Sequence, residues 1–152
     1  MLKYKLRDMS SEDLNQVLII ERGAQLSPWS RLSFEESLTR SNYCRVLESE
    51  SEILAYHITS SIAGELHLLN LVVANNFQGK GHAHELMQDI FNYAQAQASS
   101  KILLEVRASN GVANGLYRSW GFEQLSIRKK YYQASGVDGE REDAVIMIRL
   151  LE

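Results

Sequence analysis

A turn with two glycines, between a predicted strand and a predicted helix, is the stretch of this sequence best suited to binding a ligand. The apolar residues Leu71, Val72 and Val73 lead through Gln78-Gly79-Lys80-Gly81 into an apolar helical pattern. Glycines let the backbone approach a ligand, and the first turn of a helix presents unpaired N–H groups and about half a positive charge. The stretch is therefore typical of a pyrophosphate site, with Lys80 as a possible cation, although a turn that only joins strand to helix has the same pattern.

Other phosphate-binding and metal-binding motifs fit this turn poorly. A dinucleotide fingerprint would place a third glycine where His84 stands and an acid about 20 residues on, where Ala98 and Ser99 stand. The sequence has neither a P-loop nor a Gly-x-Ser-x-Gly nucleophile elbow. His82 and His84 lie two residues apart at a helix start, a poor arrangement for a shared metal, so we predict no metal site.

Two further residues could carry acid–base chemistry, but their immediate neighbours suggest structural roles. Glu105 and Arg107 lie two apart on a predicted strand and so share a face, where a simple ion pair would explain both. Tyr117 lies on a predicted helix with Trp120 three residues on, a spacing typical of core packing. Taken alone, these residues favour an ion pair and a core aromatic.

The elements that position these residues alternate between strand and helix periods. The pattern predicts a mixed α/β fold in one domain, residues 1–152, whose second helix is opened by a capping box at residues 33–36, after a loop at 27–30. A helix after the cap at residues 10–13 carries Leu14, Val17, Leu18 and Glu21 and ends near Gly23. We predict strands at 3–7, 43–47, 53–60, 65–74, 101–107, 122–132 and 144–151, later helices at 84–98 and 110–120, and a hairpin loop at 135–142.

Composition narrows the class of protein. The 152 residues are 45% hydrophobic and 23% charged, and the longest aliphatic run covers residues 17–20. That run is far below the ~20 residues of a membrane span, and the first residues lack a signal-peptide pattern, so we expect a cytoplasmic protein with no membrane partner. The net charge of −3 argues against nucleic-acid binding and suits a basic partner. Cys44, without a second cysteine, is predicted to be a small core residue.

The turn motif and later segments together resemble a known family. Gln78-Gly79-Lys80-Gly81-His82-Ala83 resembles the Gln/Arg-x-x-Gly-x-Gly/Ala signature of the GNAT acetyltransferases. Residues 28–30, 104–110, 116–122, 128–132 and 141–144 extend the resemblance over nearly the whole chain. Within the family, their order and spacing resemble bacterial enzymes that acetylate the N-terminal alanine of a ribosomal protein.

This resemblance implies a fold and a donor substrate. The fold is a mixed, mostly antiparallel sheet flanked by helices, with splayed central strands, and the donor is acetyl-CoA. The strand segment from Leu71 to Val73 would splay from its neighbour and pair with the pantetheine arm, and the Val73 N–H would polarise the thioester carbonyl. The implied coenzyme-binding residues are Leu71, Val72, Val73, Gln78, Gly79, Lys80, Gly81, His82, Ala83, His84 and Asn110.

The resemblance also implies the catalytic groups, Glu105 as general base and Tyr117 as general acid. A protein α-amine has a pKa near 8, so a base must take a proton before or during attack on the thioester, and a tyrosine hydroxyl can protonate the departing thiolate. The resemblance places Trp29, Tyr131 and Tyr132 along a groove for the acceptor N-terminus. Residues 128–132 also fit a solvated edge strand.

We therefore predict transfer of an acetyl group from acetyl-CoA to a protein N-terminus. The resemblance points to the N-terminal alanine of the eighteenth small-subunit ribosomal protein, a basic partner that suits an acidic enzyme. One alternative is an acetyltransferase that acts on a small amine or a lysine side chain. Another is a regulatory module that binds coenzyme A without turnover.

Overall fold

The computed structural model describes residues 3–132 and 141–152, which form seven strands, four α-helices and two short 3₁₀ helices, Ser11–Asp13 and Asn75–Phe77. In chain order the main elements are β1 (Lys5–Asp8), α1 (Leu14–Ala24), α2 (Arg31–Thr39), β2 (Tyr43–Ser49), β3 (Glu52–Ile62), β4 (Glu65–Val73), α3 (His82–Ala96), β5 (Lys101–Arg107), α4 (Gly111–Ser119), β6 (Glu123–Tyr132) and β7 (Glu142–Leu150).

The strands form a mixed sheet in the order β1-β2-β3-β4-β5-β7-β6. The pairing of β1 with β2, β2 with β3, β5 with β7 and β6 with β7 is antiparallel, whereas β4 and β5 pair in parallel. The parallel register joins residues 65–68 to residues 101–104. The predicted α/β class, a mostly antiparallel sheet flanked by helices, is confirmed.

The fold divides into two units, residues 1–60 with 69–93 and residues 61–68 with 94–152. The single domain over residues 1–152 stays a prediction. No helix among the described residues is both long enough and apolar enough to cross a membrane.

The first unit has a core beneath α1 and α2. Phe34 of α2 packs edge-on against Tyr56 of β3 at 6.0 Å between ring centroids, and both side chains are fully buried. Cys44 of β2 belongs to the same core, as predicted, and burial raises the pKa of its thiol to about 11. A second cluster contains Leu86 of α3 together with Leu47 and Ala55.

A buried polar cluster in the same unit joins β2, β3 and α3. His57 is fully buried, with Nε2 2.9 Å from Asp89 Oδ2 and Nδ1 2.8 Å from Thr59 Oγ1. The Tyr43 hydroxyl donates to Asp89 Oδ1 at 2.9 Å, and Arg45 Nε donates to Oδ2 at 3.3 Å. Because an ionised carboxylate only accepts hydrogen bonds, a neutral His57 carries its proton on Nε2 and accepts from Thr59.

In the second unit, β7 lies between β5 and β6 and buries the side chains of Ala144, Val145 and Met147. Ala144 and Met147 of β7 are fully buried, as is Ile102 of β5. β6 is the edge strand, and nine of its ten residues are exposed. The predicted edge-strand character of residues 128–132 is therefore present, together with the aromatic contacts described below.

Most predicted boundaries lie within two residues of the observed ones, and residues 101–107 match β5. The capping box at residues 33–36 was wrong, because α2 begins at Arg31 with Ser30 as its N-cap. The Ser30 side chain accepts the N–H of Ser33 at 3.2 Å, so Ser33 lies inside the first turn. Helix α3 starts at His82, two residues earlier than predicted. Of the predicted loop 135–142, positions 135–140 lie outside the described residues, and Glu142 begins β7.

Candidate functional site

The end of β4 is held from both faces of the sheet. Leu71 and Val73 pack against the cluster that contains Leu86, whereas Val72 packs into the core beneath α1 and α2. The Ala74 N–H donates to the Leu54 carbonyl at 2.8 Å, which keeps the chain on β3 until the strand ends. The side chains of the three residues predicted to bind the coenzyme are therefore held by packing on both faces of the sheet.

The turn after β4 is open to solvent. Gly79 and Gly81 have φ angles of +79° and +86°, a conformation that favours glycine, and a Cβ built on either would meet nothing within 4 Å. Gln78 bridges the base of the turn, where its Nε2 donates to the Val73 carbonyl at 3.2 Å. This open turn leaves room for a bulky anion next to the main chain.

Helix α3 begins directly after the turn. The Glu85 N–H donates to the Gly81 carbonyl at 3.3 Å, closing the first helical turn. The leading amides of an α-helix have no acceptor within the helix and carry its partial positive charge. Lys80 is exposed, with its Nζ 5.8 Å from the centroid of the Phe77 ring. The predicted pyrophosphate segment thus combines open space, helical amides and a nearby cation.

The side chain of His82 points away from this anion site. It is 3% exposed and meets the Tyr4 ring edge-on at 4.9 Å. Neither ring nitrogen hydrogen-bonds within residues 3–132 and 141–152, and Nδ1 lies 3.7 Å from a Glu85 carboxylate oxygen. The backbone of His82 can therefore contribute to the turn while its ring packs in the interior. Across the described chain, no three His, Cys, Asp or Glu side chains group as a candidate metal site.

The Trp29 loop is anchored by a buried carboxylate that the sequence analysis did not single out. Glu21 of α1 is fully buried, and its Oε2 accepts the Trp29 N–H at 2.9 Å. Its Oε1 accepts from the Tyr56 hydroxyl at 2.7 Å and from Asn70 Nδ2 at 3.0 Å. The Trp29 ring also packs on Phe34 at 5.1 Å. A glutamate on the apolar stripe of α1 was the signal available in the sequence.

In the second unit, Glu105 pairs with a residue other than the one its sequence neighbours suggested. Arg128 Nη1 donates to Glu105 Oε1 at 3.1 Å, and the Arg128 guanidinium stacks on the Tyr131 ring at 3.9 Å. Arg107 instead pairs with Glu142 at 3.1 Å and lies over the Tyr132 ring at 4.6 Å. The ion pair between Glu105 and Arg107, considered from their spacing, was wrong.

A bulge in β6 places the two tyrosines. Ala144 of β7 pairs with Arg128, whereas Glu142, two residues earlier, pairs with Tyr132, four residues later. Lys130 has a φ of +51°, and its N–H donates to Asp143 Oδ1 at 2.9 Å. Such bulges bend a strand and redirect its side chains.

Tyr132 and Tyr117 have perturbed hydroxyl groups. Burial raises the pKa of Tyr132 to about 12, and the negative charge of Glu105 adds to the effect. Tyr117 of α4 is 7% exposed and packs on Phe122, and burial together with Tyr132 holds its pKa well above the usual range. Both phenols are therefore protonated at neutral pH, and each can donate a hydrogen bond.

Asn110 has a structural role at the start of α4. It is the N-cap, and its Oδ1 accepts the Ala113 N–H at 3.1 Å. Asn114 Nδ2 donates to the Asn110 carbonyl at 2.7 Å and to that of Arg107 at 3.2 Å. The cap leaves the Asn110 side-chain NH₂ as the group that can reach a ligand.

The site residues thus fall into two sets. The first unit holds the open turn, the end of β4 and the Trp29 loop. The second unit holds Glu105, Asn110 and Tyr117 with the two tyrosines of β6.

Comparison with known proteins places this geometry in a family. The family model described as "Acetyltransferase (GNAT) domain" matches residues 7–137. The chain is 39% identical over 137 residues to the [ribosomal protein bS18]-alanine N-acetyltransferase of Haemophilus ducreyi, covering 90% of this chain and 92% of the relative. It is 32% identical over 142 residues to the enzyme of the same name from Escherichia coli K12, covering 93% and 94%.

A solved structure agrees. The crystal structure of the ribosomal-protein-S18-alanine N-acetyltransferase from Escherichia coli superposes with a TM-score of 0.90 at 30% identity, covering 99% of this chain and 95% of that one. The open turn, the strand order and these matches over almost the full length lead to one conclusion. The chain belongs to the GNAT acetyltransferase family.

Proposed function

We propose that this protein transfers the acetyl group of acetyl-CoA to the N-terminal alanine of ribosomal protein bS18. The observation that carries the proposal is the open glycine turn at the start of α3, where a pyrophosphate would meet helical amides. The choice of acceptor rests on relatives at 39% and 32% identity, both of which bear that activity in their names.

The coenzyme would be held largely by main-chain groups. The parallel register of β4 covers residues 65–68, and we assign the pantetheine arm to the later residues Leu71, Val72 and Val73. The backbone from Gly79 to His84 would hold the pyrophosphate, with Lys80 nearby and Asn110 as a further contact. Acetyl-CoA supplies an activated thioester, and the Val73 N–H would polarise its carbonyl.

Glu105 and Tyr117 would move the protons of the transfer. Glu105 takes a proton from the acceptor α-amine, directly or through a water, as nitrogen attacks the thioester carbon. The new C–N bond forms, the C–S bond breaks, and Tyr117 donates its hydroxyl proton to the departing sulfur. A phenol whose pKa lies far above neutrality is fully protonated before that step, so it is ready to donate.

We assign Trp29 of the first unit, and Tyr131 and Tyr132 of the second, to binding of the acceptor N-terminus. The two tyrosines already stack with arginine side chains, as aromatic rings do with cations, so they suit a protonated N-terminus. A net charge of −3 favours association with a basic ribosomal protein. We place the reaction in the cytoplasm, where ribosomal proteins are made, with no role for nucleic acid or membrane.

The test measures free thiol released from acetyl-CoA in the presence of a peptide with the bS18 N-terminus. We expect Glu105→Gln and Tyr117→Phe to lower kcat by about 10²- to 10⁴-fold, the usual contribution of acid–base catalysis. Glu123→Gln, which changes an exposed glutamate of β6, is the matched control and should keep full activity.

Different acceptors separate the remaining possibilities. Mass spectrometry after incubation with peptides that begin with alanine or serine, and with free lysine, identifies the acetylated nitrogen. Acetylation of lysine or a small amine alone would reject the N-terminal acceptor. Binding of coenzyme A without thiol release from any amine would indicate a regulatory module.

A further inference from the structure

The carboxylate assigned as general base is already paired with a cation from its own chain. Ala144 of β7 pairs with Arg107 of β5 on one side and with Arg128 of β6 on the other, so the three residues lie on one rung of the sheet. Glu105 is two residues from Arg107 and faces the same side. Arg128 therefore reaches across the short Ala144 side chain to contact Glu105 at 3.1 Å.

The ion pair between Glu105 and Arg128 is exposed enough to separate when a competing cation arrives. The Glu105 side chain is 35% exposed and that of Arg128 is 52% exposed, so water screens their attraction. Exposed ion pairs contribute little to stability. Arg128 also makes a second favourable contact, because its guanidinium lies 3.9 Å from the Tyr131 ring centroid. It can leave Glu105 and keep a favourable contact.

Two neighbouring cations pair with other carboxylates. Arg107 pairs with Glu142 of β7, and Lys129 lies 3.7 Å from Asp143 of β7. Burial and the negative charge of Glu105 raise the pKa of Tyr132 of β6, which is therefore protonated at neutral pH. Arg128 is thus the cation that the described structure places directly on Glu105.

Building on the proposed acetyl transfer, we infer that Arg128 is a positioning residue that stands in for the acceptor's protonated N-terminus. In the free enzyme its guanidinium is the counter-charge that holds the Glu105 carboxylate in place. When the acceptor arrives, its α-ammonium takes the place of the guanidinium on Glu105, and Arg128 remains on Tyr131. One cation replaces another, so the carboxylate is not left without a counter-charge.

Arg128→Gln tests the exchange because it removes the charge and keeps a planar group over Tyr131. We expect the KM for the bS18 peptide to fall about threefold with kcat nearly unchanged, since the competitor for Glu105 is gone.

Two variants separate charge from packing. Arg128→Lys keeps the cation and should restore the KM toward that of the unaltered protein. Lys129→Gln removes the adjacent positive charge, which pairs with Asp143, and should change neither KM nor kcat. An unchanged or raised KM in Arg128→Gln would overturn the exchange while leaving acetyl transfer intact. Absence of turnover by the unaltered protein would overturn both.

Discussion

Several ionisable side chains are buried, and His57 is the one whose burial has the clearest consequence for stability. Burial lowers the pKa of His57, although its hydrogen bond to Asp89 opposes the shift. Burial pushes the pKa of Asp89 up, but hydrogen bonds from His57 and Tyr43 outweigh this and lower it. The cluster is therefore a neutral imidazole beside an ionised carboxylate, stabilised near neutral pH and vulnerable to acid.

We predict that stability falls as the pH drops below about 6.5, the ordinary pKa of histidine. In that range the unfolded chain binds a proton at His57 that the folded chain does not, so the free energy of unfolding rises with pH. The limiting slope for one proton is about 1.4 kcal/mol per pH unit. Urea unfolding between pH 5 and 8 measures it.

His57→Gln is the control for this prediction. The amide can still donate to Asp89 but does not titrate, so the variant should lose less stability between pH 7 and pH 5 than the unaltered protein. Equal losses in the two proteins would mean that His57 is not the source of the acid sensitivity.

At the scale of elements, the turn before α3 and the turn between β3 and β4 provide a matched pair of glycines. Gly81 has φ +86° and Gly64 has φ +80°, and a Cβ at either position meets open space. Alanine at these angles costs about 1–2 kcal/mol of backbone strain. Any difference between the two substitutions beyond that strain must come from what binds at the turn.

We predict that Gly81→Ala and Gly64→Ala lose similar stability, whereas coenzyme A binding weakens at least about tenfold only in Gly81→Ala. The added methyl group would occupy the space beside the amides that the pyrophosphate requires. Titration calorimetry with coenzyme A gives the affinities and urea unfolding gives the stabilities. Equal coenzyme affinity in both variants would argue against this turn as the anion site.

The loop between α1 and α2 is held by the Glu21 carboxylate, which accepts the Trp29 N–H. In Glu21→Gln, an NH₂ group replaces one acceptor oxygen, so at least one of the three donors to Glu21 loses its partner, at a cost of about 1–3 kcal/mol. We predict a red shift of Trp29 emission, measured in a Trp120→Phe background, and a larger rise in peptide KM than in coenzyme A Kd.

Gln25→Leu provides the comparison for the loop. Gln25 Nε2 donates to Asn70 Oδ1 at 2.8 Å, so Gln25→Leu perturbs the same network while the Trp29 N–H keeps its acceptor, Glu21. Its Trp29 emission should match that of the unaltered protein. A similar red shift in both variants would show that general loosening, rather than the Glu21 bond, sets the loop.

At the scale of the whole molecule, local sequence patterns predicted the order and type of the main elements. The period-2 pattern of β5 and the apolar stripe of α3 arise from burial on one face, which a sequence records directly. The N-cap of α2 was harder to predict, because Ser30 and Ser33 are both suitable caps and only the chain geometry selects Ser30.

Partners from distant parts of the chain were not predictable in the same way. Glu105 is 23 residues from Arg128, and their meeting depends on the strand order β5-β7-β6 and on the bulge at Lys130. The buried acceptor role of Glu21 likewise needs β3 and β4 in place. The resemblance to the family named Glu105 and Tyr117, but it gave no indication of what holds Glu105 in the absence of an acceptor.

The single cysteine has a practical consequence for anyone who follows turnover. Cys44 is 4% exposed and its thiol is reluctant to ionise, so the folded polypeptide offers aromatic disulfide dyes almost nothing to attack. Colour that develops in such an assay therefore reports liberated coenzyme and not the enzyme itself. The protein itself therefore adds almost no background signal to such an assay.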